Sequence, residues 1–119
     1  MKIVIPDHRP VSWNRIATMH YRKYQALRDE VLLLTMAAVE PDTPMYRRPV
    51  WIIITAYNRK PLDADNVAAK LYVDALRKRG LLKDDDPRYV RGVALRSEIG
   101  EPRIEITIRE TYAEETYHE

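Results

Sequence analysis

Asp63 and Asp65 in LDADN, and Asp84, Asp85 and Asp86 in KDDDP, are the residues of this chain best equipped for chemistry, and one short helical stretch separates the two groups. Two carboxylates 4 Å apart repel by about 4 kcal/mol at an effective dielectric near 20, so gathering them at neutral pH calls for a cation or a proton. A divalent cation is the simpler expectation. Asp63 and Asp65 stand two positions apart, so in an extended segment they project to one side, with Cα atoms about 6–7 Å apart, and both can reach one ion. Asp85 or Asp86, carried back by the loop after the helix, would add a third oxygen, with water completing an octahedral Mg²⁺ or Mn²⁺ shell. Such an ion polarises a phosphoryl oxygen, lowers the pKa of a bound water and offsets charge on a leaving oxygen, which suits phosphodiester hydrolysis. Lys70 is expected on one polar helical stripe with Asn66 and Asp74, opposite Val67, Leu71 and Leu76. A lysine close to the scissile phosphate would stabilise its transition-state charge.

Plainer readings compete. Asp-x-Asp before a helix is often a cap beside a solvated neighbour, and acid runs before proline are usually exposed turns. An EF-hand is excluded because Val67 and Ala68 fall at ligand and glycine positions of such a loop. A haloacid-dehalogenase-type phosphatase is excluded because NRKPL separates the Asp pair from the preceding strand. The histidines, His8, His20 and His118, have no metal-ligand spacing and are read as surface or capping residues. Trp13 is expected to pack in the core, the rival reading being a stack on unpaired bases together with Tyr21, beside Arg15 and Arg22.

The elements that must position these residues follow from pattern. KIVI at 2–5, bounded by Pro6 and Pro10, reads as a strand, and PVSWN as a turn. From Met19 to Val39 there is neither Gly nor Pro, and Tyr24, Leu27, Val31, Leu34 and Ala38 recur at helical spacing. Residues 49–57, PVWIIITAY, are too apolar for a strand wet on one face and are expected at the centre of a sheet. Asp63 or Asp65 is placed to cap a helix ending at Arg79 before Gly80, whose acidic start and basic end suit the helix dipole. VRGVALRSEI and PRIEITIRE read as two strands of a hairpin closed by GEP, with Ile104, Ile106 and Ile108 on the covered face. The tail from Thr111 is expected to fray. The order β-α-β-α-β-β implies an α+β domain over residues 1–119, a small mixed sheet with two helices packed on one face.

The chain has no Cys, which excludes disulfides, thiolate catalysis and cysteine-bound zinc, so any metal must be held by oxygen or histidine. No stretch reaches the length of a membrane span and the start lacks a signal-peptide pattern, so a cytoplasmic protein with no membrane partner is expected. Net charge is only +2, yet basic residues are spread along the chain while five acids sit in the two clusters. A basic surface around an acidic pocket would suit a polyanion.

LDADNVAAKLYVDALRKRGLLKDDDPRYV resembles the signature of RusA-type Holliday junction resolvases, in which Asp-x-Asp-Asn is followed by a Lys, Asp-Ala-Leu, a glycine and an Asp-Asp pair. PVSWNR at 10–15 is similar to that family's N-terminal segment. The resemblance implies a small α+β homodimer that binds four-way DNA junctions and nicks two strands symmetrically with Mg²⁺. Asp63, Asp65 and Asp86 would match the family's acids, Asp85 would assist, and Lys70 would match its lysine, with one residue more between Asn66 and Lys70 than the usual pattern has. A four-way junction has two-fold symmetry, which independently calls for two related active sites. Two other readings stay open: a junction-binding protein without cleavage, and a phosphohydrolase acting on small nucleotides.

Overall fold

The computed structural model describes residues 1–111. In chain order the elements are β1 (Lys2–Ile5), α1 (Trp13–Ala17), α2 (Tyr21–Ala38), β2 (Val50–Asn58), a 3₁₀ turn (Ala64–Asn66), α3 (Ala69–Arg79), β3 (Val90–Ile99) and β4 (Arg103–Glu110). They build an α+β fold on one open mixed sheet, ordered β1-β4-β2-β3. β2 runs parallel to β3 and antiparallel to β4, which also pairs with β1. One face of the sheet is formed by Ile3, Ile5, Ile52, Ile54, Ile104, Ile106 and Ile108, all at most 2% exposed. Leu27 and Val31 of α2, with Leu71, Tyr72 and Leu76 of α3, join the same cluster, so both long helices cover this face. Each apolar side chain of that size withdrawn from water contributes about 1.5–3 kcal/mol, and this is what holds the layers together.

β2 is central, as its composition requires, but the hairpin expected of β3 and β4 does not form. β2 lies between them, with Ile54 opposite Leu95 on one side and Ile106 on the other. The buried backbone of β2 needs ladder partners on both edges. Gly100, Glu101 and Pro102 suffice for the crossing, because strands one apart in order are only about 10 Å from each other. Gly100 N–H donates to the Asn58 carbonyl at 3.0 Å as the link passes over the end of β2. A second departure concerns the other face of β2. Trp51 is 37% exposed and Ile53, Thr55 and Tyr57 are half-buried, so the strand is covered on one side only.

The segment read as a turn at PVSWN instead runs into α1, whose first two residues it supplies. Ser12 ends in extended geometry and its Oγ accepts Arg15 N–H at 3.1 Å, the usual serine cap. α2 starts similarly, with His20 Nδ1 accepting Arg22 N–H at 3.3 Å. α3 ends at Gly80, whose φ of 91° is left-handed and favours glycine. Its basic last turn, Arg77 to Arg79, is as expected, but its first turn holds no acid, because the helix begins only at Ala69. Neither Asp63 nor Asp65 caps it. Thr111, expected to fray, is buried, and its N–H and Oγ1 both donate to the Pro49 carbonyl. The remainder of the expected tail lies outside the described residues.

Candidate metal centre

Parallel pairing of β2 and β3 places their C-terminal ends side by side, Asn58 against Ile99. Such ends are where open sheets with a parallel crossover habitually receive ligands. The chain leaves β2 through Arg59, whose guanidinium pairs with Glu101 at 2.8 Å, and Ser97 Oγ donates to the Leu62 carbonyl. Asn66 N–H then closes back on the Asp63 carbonyl at 2.9 Å, folding residues 63–66 into the 3₁₀ turn.

A second segment fixes this turn from outside. Ser12 and Val67 form an isolated antiparallel bridge, Ala68 N–H donates to the Val11 carbonyl at 2.9 Å, and Asn14 N–H donates to Asn66 Oδ1 at 3.2 Å. The result is an open recess of about 260 Å³ lined by Trp13, Asn14, Asp63, Asp65 and Asn66. Behind it, the Tyr72 hydroxyl accepts from Val11 N–H at 3.1 Å and lies 2.8 Å from His8 Nε2, both side chains being buried. Burial pushes the Tyr72 phenol above its ordinary pKa and the His8 imidazole below its own.

Asp63 occupies the cap position of the 3₁₀ turn without a side-chain hydrogen bond, and among the described residues neither Asp63 nor Asp65 has an ion-pair partner. Their carboxylates are exposed. Two carboxylates and two carboxamides around one recess are hard oxygen donors of the kind Mg²⁺ or Mn²⁺ takes, with water filling the remaining positions. The residues therefore fit a hard divalent ion, although among the described residues no group of three or more His, Cys, Asp or Glu could hold a metal.

Asp84, Asp85 and Asp86 sit elsewhere in the chain. They precede β3, and Asp86 accepts Tyr89 N–H and Val90 N–H through its carbonyl, next to the start of β2 where Val50 N–H meets the Tyr89 carbonyl. β2 has nine residues, so the two ends of the β2–β3 pair stand about 26 Å apart at about 3.3 Å per residue. Asp84 Oδ1 accepts Asp85 N–H, and the Asp86 carboxylate is gripped by Arg88 at 2.8 Å, which holds its pKa below the usual range. Lys70 is exposed and 3.7 Å from Asp74, outside the lining of the recess; Asn66 lies before α3, off the stripe assigned to it.

Trp13 is 40% exposed at the recess and not in the core, because the short capped α1 turns its first residue outward. His8 is neither surface nor cap but buried on Tyr72; His20 is a cap, and His118 lies outside the described residues. Sequence reasoning passed over Asn14, Tyr72 and the pairing role of His8. The available signals were Ser12, a residue type that favours helix N-caps, and the PVSWNR segment that contains Asn14.

A search among curated proteins gives no match. The family described as endodeoxyribonuclease RusA matches residues 4–109, from within β1 almost to the end of β4. That span contains the recess, both aspartate groups and all of the buried sheet face except Ile3, and the chain belongs to the RusA endodeoxyribonuclease family.

Proposed function

We propose that the protein is a Mg²⁺-dependent, structure-selective endodeoxyribonuclease that resolves four-way junctions by symmetric paired nicks as a homodimer, in DNA recombination and repair. The observation that carries this reading is the recess where Asp63 and Asp65, with their oxygens unspent on the protein, face Asn14 and Asn66. A bound ion would supply a polarised phosphoryl oxygen and an activated water. Asp63 and Asp65 would hold that ion, and Asn14 and Asn66 would orient its waters. Lys70 offsets phosphate charge from the adjoining first turn of α3, and Trp13 gives the rim a flat apolar face for a base.

Separation of the two acidic groups supports the homodimer. Asp85 and Asp86 would join the Asp63–Asp65 pair from a second copy, Arg88 giving up the Asp86 carboxylate to the ion, since within one chain the two groups adjoin opposite ends of the β2–β3 pair. Purified protein incubated with a synthetic four-way junction and Mg²⁺ gives paired symmetric nicks, abolished by EDTA and by Asp65→Asn, with junction binding retained. Mixing Asp65→Asn with Asp86→Asn subunits restores a fraction of the cutting that neither variant has alone. Normal nicking by Asp65→Asn would refute the carboxylate assignment.

A further inference from the structure

A second recess, of about 410 Å³, opens at the other end of the β2–β3 pair and is lined by Pro44, Met45, Tyr46, Arg47, Lys83 and Tyr89. Its position follows from two backbone bonds: Tyr46 N–H donates to the Leu81 carbonyl, and Val50 N–H to the Tyr89 carbonyl, at 2.9 Å each. These join the segment before β2 to the segment between α3 and β3. The two tyrosines are half-buried, and burial raises the Tyr46 pKa, so its hydroxyl stays neutral. Met45, an exposed side chain, contributes a soft apolar wall.

The charged residues in this lining are all cations. Arg47 and Lys83 are exposed and form no salt bridge among the described residues, and no carboxylate lines the recess. Lys83 Nζ lies 5.9 Å and the Arg88 guanidinium 5.4 Å from the centre of the Tyr89 ring. The nearby Asp86 is neutralised by Arg88, which takes both its carboxylate oxygens. Both cations stand over the ring at cation–π range, on mobile exposed side chains that a base can replace. An unstacked nucleotide requires this combination of a flat aromatic face for the base and positive charge for its phosphates.

We infer that this recess binds an unpaired nucleotide of a DNA strand, the base stacking on Tyr89 and the flanking phosphates meeting Arg47 and Lys83. The inference rests on the DNA-binding reading above and adds a site to it. A base of ordinary size fits a volume of this order, and stacking of this kind is tolerant of base identity. Apolar ligands without phosphate would leave Arg47 and Lys83 unused.

Fluorescence anisotropy with a labelled oligo-dT strand and, separately, a fully paired four-way junction, both in EDTA, tests this. Wild-type protein binds both. Tyr89→Ala weakens oligo-dT binding by about 30-fold, the middle of the range for losing one stacked base, while Tyr89→Phe keeps it. Arg47→Gln with Lys83→Gln weakens it as well and flattens its dependence on salt. Junction affinity changes less in each case. Oligo-dT affinity within two-fold of wild type in both Tyr89→Ala and the double Gln variant would overturn the inference, as would equal losses in Tyr89→Phe and Tyr89→Ala. Failure of wild-type protein to bind the junction would instead sink the DNA-binding reading itself, and the Gln pair keeps the test open if Tyr89→Ala does not fold.

Discussion

His8 Nε2 and the Tyr72 hydroxyl lie 2.8 Å apart in the buried layer behind the recess, and the same hydroxyl takes Val11 N–H. With Val11 donating to the phenol oxygen, the phenol proton is available for an unprotonated Nε2. Protonating His8 would aim a second donor at that oxygen and leave the phenol proton without an acceptor. The trio holds residues 8–11, and through them the bridge that fixes the aspartate turn.

Stability should therefore decline on mild acidification. Burial lowers the His8 pKa from its ordinary 6.5, so between the lowered value and 6.5 the unfolded chain binds more protons than the folded one. The stabilising contribution is complete above about 6.5 and is lost as pH falls through the folded-state value. Melting followed by circular dichroism at pH 7.5 and 5.5 should show a larger drop for wild type than for His8→Gln, which cannot titrate. Equal drops would remove His8 from the account.

Divalent ions should protect the fold through the aspartate pair. Ligand binding to the folded state alone stabilises by about 1.4 kcal/mol at ten times Kd. Mg²⁺ or Mn²⁺ should raise the melting temperature of wild type, and Asp63→Asn should lose most of that rise together with cleavage, while still binding a four-way junction. A metal-induced rise that survives unchanged in Asp63→Asn would point to an ion held elsewhere.

On the open face of the sheet, Trp51 lies over Gly92 of the neighbouring parallel strand. A Cβ at Gly92 would stand 2.0 Å from Trp51 Cζ3 and 2.7 Å from Cε3. Overpacking of this kind costs about 1–3 kcal/mol. Gly92→Ala should lower stability in urea unfolding by that order, and the added Trp51→Ala should return part of the loss. Additive losses in the double variant would show that the indole swings aside freely.

Loss of the Ser12 cap should be felt at the site as well as in the melt. Ser12→Ala removes the acceptor of Arg15 N–H, at a cost of about 1 kcal/mol. Because α1 carries Trp13 and Asn14 to the recess, the variant should need more Mg²⁺ for half-maximal nicking, and Ser12→Thr should recover most of the wild-type response. An unchanged Mg²⁺ requirement would mean that α1 does not position the recess.

Much of the fold was legible because it depends on local pattern. Alternation in Ile104, Ile106 and Ile108 marked β4, the run free of Gly and Pro marked α2, and Gly80 marked the end of α3. The missing pieces depend on contacts between distant segments. Insertion of β2 between β3 and β4 leaves no local trace, since a short GEP link serves an adjacent hairpin as well as a split one. The aspartate pair was visible in its spacing, whereas Asn14 reaches the recess only through the bridge from Ser12 to Val67. His8 looked like a loop residue because its partner, Tyr72, is on a helix far along the chain. The second acidic group lies past the far end of α3, beside the start of β2, and nothing in its sequence marks which end of the sheet it joins.

The middle position of β2 also sets a timetable. Val50 finds its ladder partners in Val90 and Glu110, so residues 50–68 are synthesised long before either neighbour exists. Pairings so far apart in sequence form late, after the chain has closed large loops. Until β3 and β4 are in place, the strand that leads to Asp63 and Asp65 has neither ladder neighbour, although residues 11–14, which brace the aspartate turn, are already made. The recess at Asp63 and Asp65 therefore takes its final shape only when the C-terminal third of the chain has joined the sheet.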